Sequence, residues 1–216
     1  MQDEMLTALG GEDKKGEKDW AKVLELIQAR PEAATEKSEC HHAIPLRYAA
    51  SRKAPIDVFI AIFEAYPDGA KEKDEDGRLP LHLAKIGDIA RILLEAYPDG
   101  AKEKDEHERL PLHCAIYANL PDIVRMLLEA YPDGAKEKDE YGRGRLPLHC
   151  AIYENLPDIA RMLLEAYPDG AKEKDGRGRL PLHWAIDHKQ TDIARMLLEA
   201  YPDGAKEKGE RGRLPL

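Results

Sequence analysis

Two hydrophobic patterns alternate along the chain. The first is Leu-Pro-Leu-His followed by a short apolar run, as in 110–116 and 146–152. The second is Asp-Ile-Val-Arg-Met-Leu-Leu at 122–128, where Ile123, Met126, Leu127 and Leu128 share one side of a helix. The first pattern predicts a short helix opening at Pro80, Pro111, Pro147 or Pro181, because proline's missing N–H goes unused in a first turn. It ends near Tyr117, Tyr153 and Asp187. The second helix begins near Asp88, Asp122, Asp158 and Asp192, whose carboxylates complement the positive end of the helix dipole. Pro121 and Pro157 fit that start, and Thr191 is expected to cap the last copy. The helix must stop at Tyr131, since a residue before proline avoids the α region, and Pro132-Asp133-Gly134 then turns the chain. A charged finger, Lys136-Glu137-Lys138-Asp139, leads onward, and Gly77, Gly142, Gly176 and Gly178 allow a tight reversal at the finger tips.

These patterns belong to a repeat. Tyr-Pro-Asp-Gly-Ala-Lys-Glu-Lys begins at Tyr66, Tyr97, Tyr131, Tyr167 and Tyr201, at spacings of 31, 34, 36 and 34. Arg-Leu-Pro-Leu-His begins at Arg78, Arg109, Arg145 and Arg179 and returns truncated at Arg213. Diverged copies stand at Ile44-Pro45-Leu46-Arg47 and Arg30-Pro31-Glu32-Ala33-Ala34. One helix pair cannot bury both of its faces, and stacking neighbours solves this. Five units are expected, at about 45–66, 80–97, 111–131, 147–167 and 181–201. A single helix from Asp19 to Arg30 caps them, with Trp20, Leu24 and Ile27 facing the stack. Residues 1–18 are polar and expected to be disordered; 19–216 form the repeat domain. The unit at 80–97 is three residues short, with Lys85-Ile86-Gly87-Asp88 replacing a longer turn, and predicts a local defect. The chain stops at Leu216 in mid-signature, which suggests a fragment or a truncated gene. The last layer then lacks a polar cap, so the expectation is a monomer or weak self-association through that face.

Leu110-Pro111-Leu112-His113-Cys114-Ala115 resembles the Thr-Pro-Leu-His-x-Ala signature of ankyrin repeats, and Asp122–Leu128 resembles the family's second helix. The likeness runs from about 19 to 216, and the Tyr-Pro-Asp-Gly-Ala insert resembles a variant of algal and other protist ankyrin arrays. The resemblance implies an all-α ankyrin-repeat solenoid of stacked helix-turn-helix units with finger loops. It further implies a non-enzymatic protein-interaction scaffold that binds through a concave surface of fingers and first helices. Alternatives are a structural spacer, or the targeting region of a larger multidomain protein truncated here. Two departures stand out. The family threonine is Leu79, Leu110, Leu146 and Leu180 here, so the network around the signature histidine must be rewired. The glycine that ends the family's second helix is replaced by Tyr-Pro.

Composition narrows the function. Apolar residues are 43% and suffice for a core, and aromatics are only 6%, which suits thin layers of Leu, Ile and Ala. Charged residues are 35% and the net charge is −9, which argues against nucleic-acid binding and against acidic membrane surfaces. No apolar run is long enough to span a bilayer, and the N-terminus lacks the apolar core of a signal peptide. An intracellular, cytoplasmic protein is expected. Cys40, Cys114 and Cys150 are too few and scattered for a disulfide framework.

No catalytic, cofactor-binding or metal-binding constellation is expected. His82, His113, His149 and His183 recur once per layer and cannot converge on one ion, so they are expected to be structural. Cys40-His41-His42 lacks the ligand spacing of a zinc site and is expected to be an exposed finger. The carboxylates lie in polar fingers where nothing would shift their pKa values. The candidate partner-binding residues are Arg78, Arg109, Arg145 and Arg179, with Arg213, where each finger meets its first helix. A row of guanidinium groups would favour carboxylate or phosphate groups on an acidic protein or peptide. The competing reading pairs them with Asp or Glu of neighbouring fingers, and acidic neighbours are abundant. The resemblance adds positions that vary at the end of the first helix: Tyr117 and Ala118, Tyr153 and Glu154, Asp187 and His188. It also adds Glu106, His107, Arg143 and Arg177 in the fingers. Tyr117 and Tyr153 are the best anchors, because tyrosine is enriched at binding hot spots.

Overall fold

The computed structural model describes residues 5, 8, 9, 19–37, 44–140, 144–209, 212, 214 and 215. Eleven α-helices occur among them: α1 Trp20–Ala29, α2 Pro45–Ser51, α3 Ile56–Ala65, α4 Pro80–Leu83, α5 Gly87–Ala96, α6 Pro111–Tyr117, α7 Pro121–Ala130, α8 Pro147–Tyr153, α9 Pro157–Ala166, α10 Pro181–Asp187 and α11 Thr191–Ala200. No strand occurs among the described residues; one isolated bridge joins Asp139 and Arg145. The chain divides into two compact units, 1–106 and 107–216. The first holds the cap helix α1 and the pairs α2/α3 and α4/α5; the second holds α6/α7, α8/α9 and α10/α11.

Within each unit, first helices pack on first helices and second helices on second helices. The buried seam of each second helix is Ile-Ala/Val-x-x-Leu: Ile89, Ala90 and Leu93, then Ile123, Val124 and Leu127, and so on. Met126 is only half-buried, and its place on the seam is taken by Val124. The cap helix turns Val23 and Ile27 into the core, as expected for Ile27, while Trp20 and Leu24 are half-buried and Val23 takes the place expected of Leu24. Asp19 caps it by accepting the Lys22 N–H at 2.9 Å, a contact of typically ~1 kcal/mol. Of residues 1–18, Met5, Ala8 and Leu9 are described and buried.

Proline sets most boundaries. Pro45, Pro80, Pro111, Pro147 and Pro181 stand first in α2, α4, α6, α8 and α10. Thr191 is itself the first residue of α11 and makes no capping bond, unlike the expected arrangement. Each second helix ends on tyrosine with φ near −144°, outside the α region as a residue before proline must be. The Pro-Asp-Gly-Ala-Lys that follows forms one turn of 3₁₀-helix in every copy, for example Pro132–Lys136. Its glycine is there for space and not for a positive φ. A Cβ on Gly100 would meet the Tyr97 ring at 3.1 Å and Leu79 at 3.4 Å, and one on Gly134 the Tyr131 ring at 3.2 Å and Leu112 at 3.4 Å.

The first helices end differently. Asn119 and Asn155, with φ of 52° and 56°, take the left-handed conformation that lets the next N–H bond back into the helix (Leu120 to Ala115 at 3.0 Å, Leu156 to Ala151 at 2.9 Å). Lys53 and Lys189 do the same work at φ of 59° and 57°. The short unit has no such residue. Its first helix is a single turn, and Ala84 leaves it in extended conformation at φ −60°, ψ 128°. The three missing residues thus come out of the helix itself, four residues long against seven in Pro111–Tyr117, and the connector 84–86 keeps the length of 118–120.

Candidate functional site

Each finger is organised around a carboxylate that reads as surface charge. Asp105, Asp139 and Asp175 are buried, and the side chain of Asp74 is nearly so. Asp175 accepts the backbone N–H groups of Arg177 and Arg179, both at 2.9 Å. Asp74 accepts those of Asp76 at 3.0 Å and Arg78 at 2.9 Å. The second oxygen takes a guanidinium: Arg78 Nε at 3.1 Å and Arg47 Nε at 2.7 Å on Asp74, Arg179 Nη2 at 3.2 Å on Asp175. Burial pushes these carboxyl groups up, but the backbone N–H bonds and the arginines outweigh it, and both sit below the ordinary Asp value. The expectation that nothing shifts a finger carboxylate is corrected here. The ionised aspartate is the hub that closes the finger.

The signature histidines are also structural hubs. Nδ1 of His82, His113 and His183 accepts the N–H of Leu79, Leu110 and Leu180 at 3.1 Å, and His149 that of Leu146 at 3.3 Å. The leucine that replaces threonine therefore keeps a bond to histidine through its backbone. An accepting Nδ1 requires a neutral ring. Burial holds His149 neutral, pushing its pKa down to about 4, with the Asp175 charge and the Arg179 backbone opposing it. Each ring bonds through Nδ1 to the leucine that opens its own helix. Among the described residues no group of three or more His, Cys, Asp or Glu is placed to hold a metal ion. Cys40-His41-His42 lies outside the described residues.

The arginine row does not behave as a row. Arg78 and Arg179 are held by the aspartate four residues before them, and Arg78 also pairs with Asp76. Arg109 is half-buried ahead of α6. Arg213 lies outside the described residues, as does Arg143. Arg145 differs, and the cause is a change in spacing. Six residues separate Asp139 from Arg145, against four in the other fingers. Asp139 still accepts the Arg145 N–H at 3.2 Å, but the guanidinium swings away from the carboxylate. It lies 4.4 Å from the centre of the Trp184 ring and 5.0 Å from that of Tyr153. Its Nε is buried without a hydrogen-bond partner.

Tyr117 and Tyr153 occupy the same place in successive repeats yet part company. The Tyr117 hydroxyl reaches into the next layer, 3.2 Å from both Asp139 and the Cys150 sulfur. Desolvation, and then the Cys150 and Asp139 groups, push its pKa well up. Burial likewise pushes the Cys150 thiol up to about 12, so it stays protonated and unreactive. One layer on, Trp184 replaces cysteine. Its indole N–H donates to Asp175 at 3.0 Å and fills the slot a tyrosine hydroxyl would use. Tyr153 is turned outward, 47% exposed, edge-on to Trp184 at 5.9 Å and to His188 at 6.0 Å. His188 is exposed and stacks flat on Trp184 at 5.7 Å; Asp187 beside it is exposed. The Arg179 guanidinium also lies over the indole, 3.9 Å from the ring centre. The structure thus brings Arg145, Tyr153, Arg179 and His188 together around Trp184, and leaves Tyr117 half-buried with its hydroxyl in the next layer. Sequence reasoning missed Trp184 and Asp175 as the pieces that build this cluster.

Comparison with known proteins agrees with the architecture. Comparison with curated proteins gives no match. Among solved structures, the crystal structure of the ankyrin repeat domain of Bcl-3, described as a unique member of the IkappaB protein family, aligns with a TM-score of 0.72 at 19% identity. The alignment covers 98% of this chain and 90% of that one. A family model for ankyrin repeats, three copies long, matches residues 46–140 and 132–208. With helix pairs, finger loops and a model match over more than half its length, this chain belongs to the ankyrin-repeat family.

Proposed function

We propose that the chain is a protein-interaction module whose binding surface is the finger and first-helix face of residues 107–216, centred on Tyr153. Ankyrin repeats are generally protein–protein interaction modules, and the fold is a non-enzymatic one. One observation carries the placement: Tyr153 is 47% exposed on a support of Trp184, His188 and Arg145. A rigid aromatic ring with a polar tip presents large contact area at low entropic cost, which is why such residues anchor interfaces. Asp187 and His188 flank it; Arg78 and Arg179 hold fingers in shape; Tyr117 contributes through its hydroxyl's contact with the next layer. No helix among the described residues is long and apolar enough to cross a membrane.

Affinity capture from the cells that make this chain tests the reading. Wild type is compared with Tyr153→Ala and with Arg195→Gln, a 68% exposed arginine on α11. Partners lost with Tyr153→Ala and kept with Arg195→Gln support the surface. An unchanged partner set with Tyr153→Ala removes it and favours the structural spacer.

A further inference from the structure

Resting on that surface, we infer that Arg145 is a receptor for a single carboxylate carried by an otherwise apolar or aromatic peptide segment. Three independent features lead there. The first is stoichiometric. Arg78 and Arg179 each have a finger carboxylate of their own, at 3.1 Å and 3.2 Å. The two extra residues between Asp139 and Arg145 deny Arg145 that arrangement. Asp139 instead meets the Tyr117 hydroxyl at 3.2 Å and the Cys150 sulfur at 3.9 Å. Among the described residues no carboxylate lies within ion-pair distance of Arg145, and its Nε has no hydrogen-bond partner.

The second feature is position. The Arg145 guanidinium sits against the rings of Trp184 and Tyr153. Its Nε is buried, so the terminal Nη groups are the donors left for a carboxylate. The third is the company it keeps. Tyr153 offers an exposed apolar surface with its ring centre 5.0 Å from the guanidinium, so an apolar neighbour of the carboxylate has something to pack on. Glu154 and Asp187 are exposed at the ends of α8 and α10 and would repel a run of negative charge. The favoured ligand is therefore one carboxylate in an apolar context and not a polyacidic tract.

The test uses the full chain and synthetic decapeptides, acetylated and amidated, with central Asp or Glu flanked by Leu and Tyr. Each is paired with its Asn or Gln counterpart, and a third version carries the only carboxylate at a free C-terminus, separating side-chain from terminal sources. Binding is measured by fluorescence anisotropy. Wild type is expected to favour the carboxylate peptide over its amide by about tenfold. That ratio falls towards one in Arg145→Gln, falls most of the way in Arg145→Lys, whose ammonium lacks the planar fork, and is unchanged in Arg195→Gln. Peptides that bind wild type with no carboxylate preference, or a preference that survives Arg145→Gln, overturn the inference and leave the interaction reading standing. No binding of any peptide by any variant overturns the inference, and the capture with Tyr153→Ala then decides the interaction reading by itself.

Discussion

The indole N–H of Trp184 and the carboxylate of Asp175 lie 3.0 Å apart, where the preceding layer places the Tyr117 hydroxyl and Asp139 at 3.2 Å. One substitution between repeats, cysteine to tryptophan, thus fills the interlayer slot from the other side. The displaced Tyr153 is the exposed tyrosine among the described tyrosines and tryptophans of its unit. Trp184→Cys should reverse this. Its side chain is 95% buried (5% exposed), so the loss of packing costs about 2–4 kcal/mol. Tyr153 is expected to turn inward toward Asp175, read as reduced accessibility of its ring to surface labelling.

Tyr117 and Tyr153 should therefore separate cleanly in a stability assay. Tyr117→Phe removes a hydroxyl bonded to Asp139 and Cys150 and is expected to cost about 1–2 kcal/mol. The same change at Tyr153 should be within about 0.5 kcal/mol of wild type. Urea midpoints of the two variants decide it; equal values would remove the distinction drawn between them.

Asp175 is held below the ordinary Asp pKa in the folded chain despite its burial. A depressed folded pKa adds stability above the unfolded value, near 3.9, and that stability is lost as pH falls through the folded value. Asp175→Asn should accordingly cost about 1–3 kcal/mol at pH 7. The gap to wild type should narrow below about pH 4. Urea titrations at pH 7 and pH 3 measure both.

His149 works in the pH range above that. Its folded pKa is about 4, while the unfolded ring titrates near 6.5. As pH falls through 6.5 the unfolded chain takes up a proton that the fold refuses, so stability drops until pH reaches about 4, by on the order of 1 kcal/mol per unit. His149→Gln, which keeps an acceptor for the Leu146 N–H, should flatten the midpoint against pH between 7 and 5.

Lys189 holds a left-handed backbone at φ 57°, a conformation that costs a side-chain-bearing residue roughly 1 kcal/mol and glycine almost nothing. Lys189→Gly should raise the thermal midpoint, and Lys189→Val should lower it. Asn119 and Asn155, at the same place, already carry a residue suited to that conformation.

Much of this architecture is written in local chemistry. The anchor prolines and the tyrosines before proline act on their own backbone, so the starts of the first helices and the ends of the second were readable without neighbours. The spacing of the repeat carries the stack. What was not readable depends on the adjoining layer. Asp139 closes a run of Lys-Glu-Lys-Asp and looks like solvent-facing charge, yet it is 1% exposed. The one available signal was the return of an aspartate at the end of the same Lys-Glu-Lys run in successive fingers, at Asp74, Asp105, Asp139 and Asp175. Tyr117 and Tyr153 both close the run Arg-Leu-Pro-Leu-His-Cys-Ala-Ile-Tyr, and the residue in the next repeat, Cys150 or Trp184, separates the half-buried ring from the exposed one. The same dependence split the arginine row, since Arg145 differs from Arg78 and Arg179 by two residues in its finger.

That spacing is the most direct handle on the account. Deleting Tyr141 and Gly142 returns the finger to the Asp-Glu-x-Gly-Arg pattern of residues 74–78. Arg145 should then pair with Asp139 as Arg78 pairs with Asp74, leaving the Trp184 ring. Titration of the shortened chain with the central-Glu peptide and its Gln counterpart should show the carboxylate preference gone and the thermal midpoint kept or raised. A shortened chain that folds and still prefers the carboxylate as strongly as wild type would contradict the claim that the longer finger is what frees Arg145 to bind.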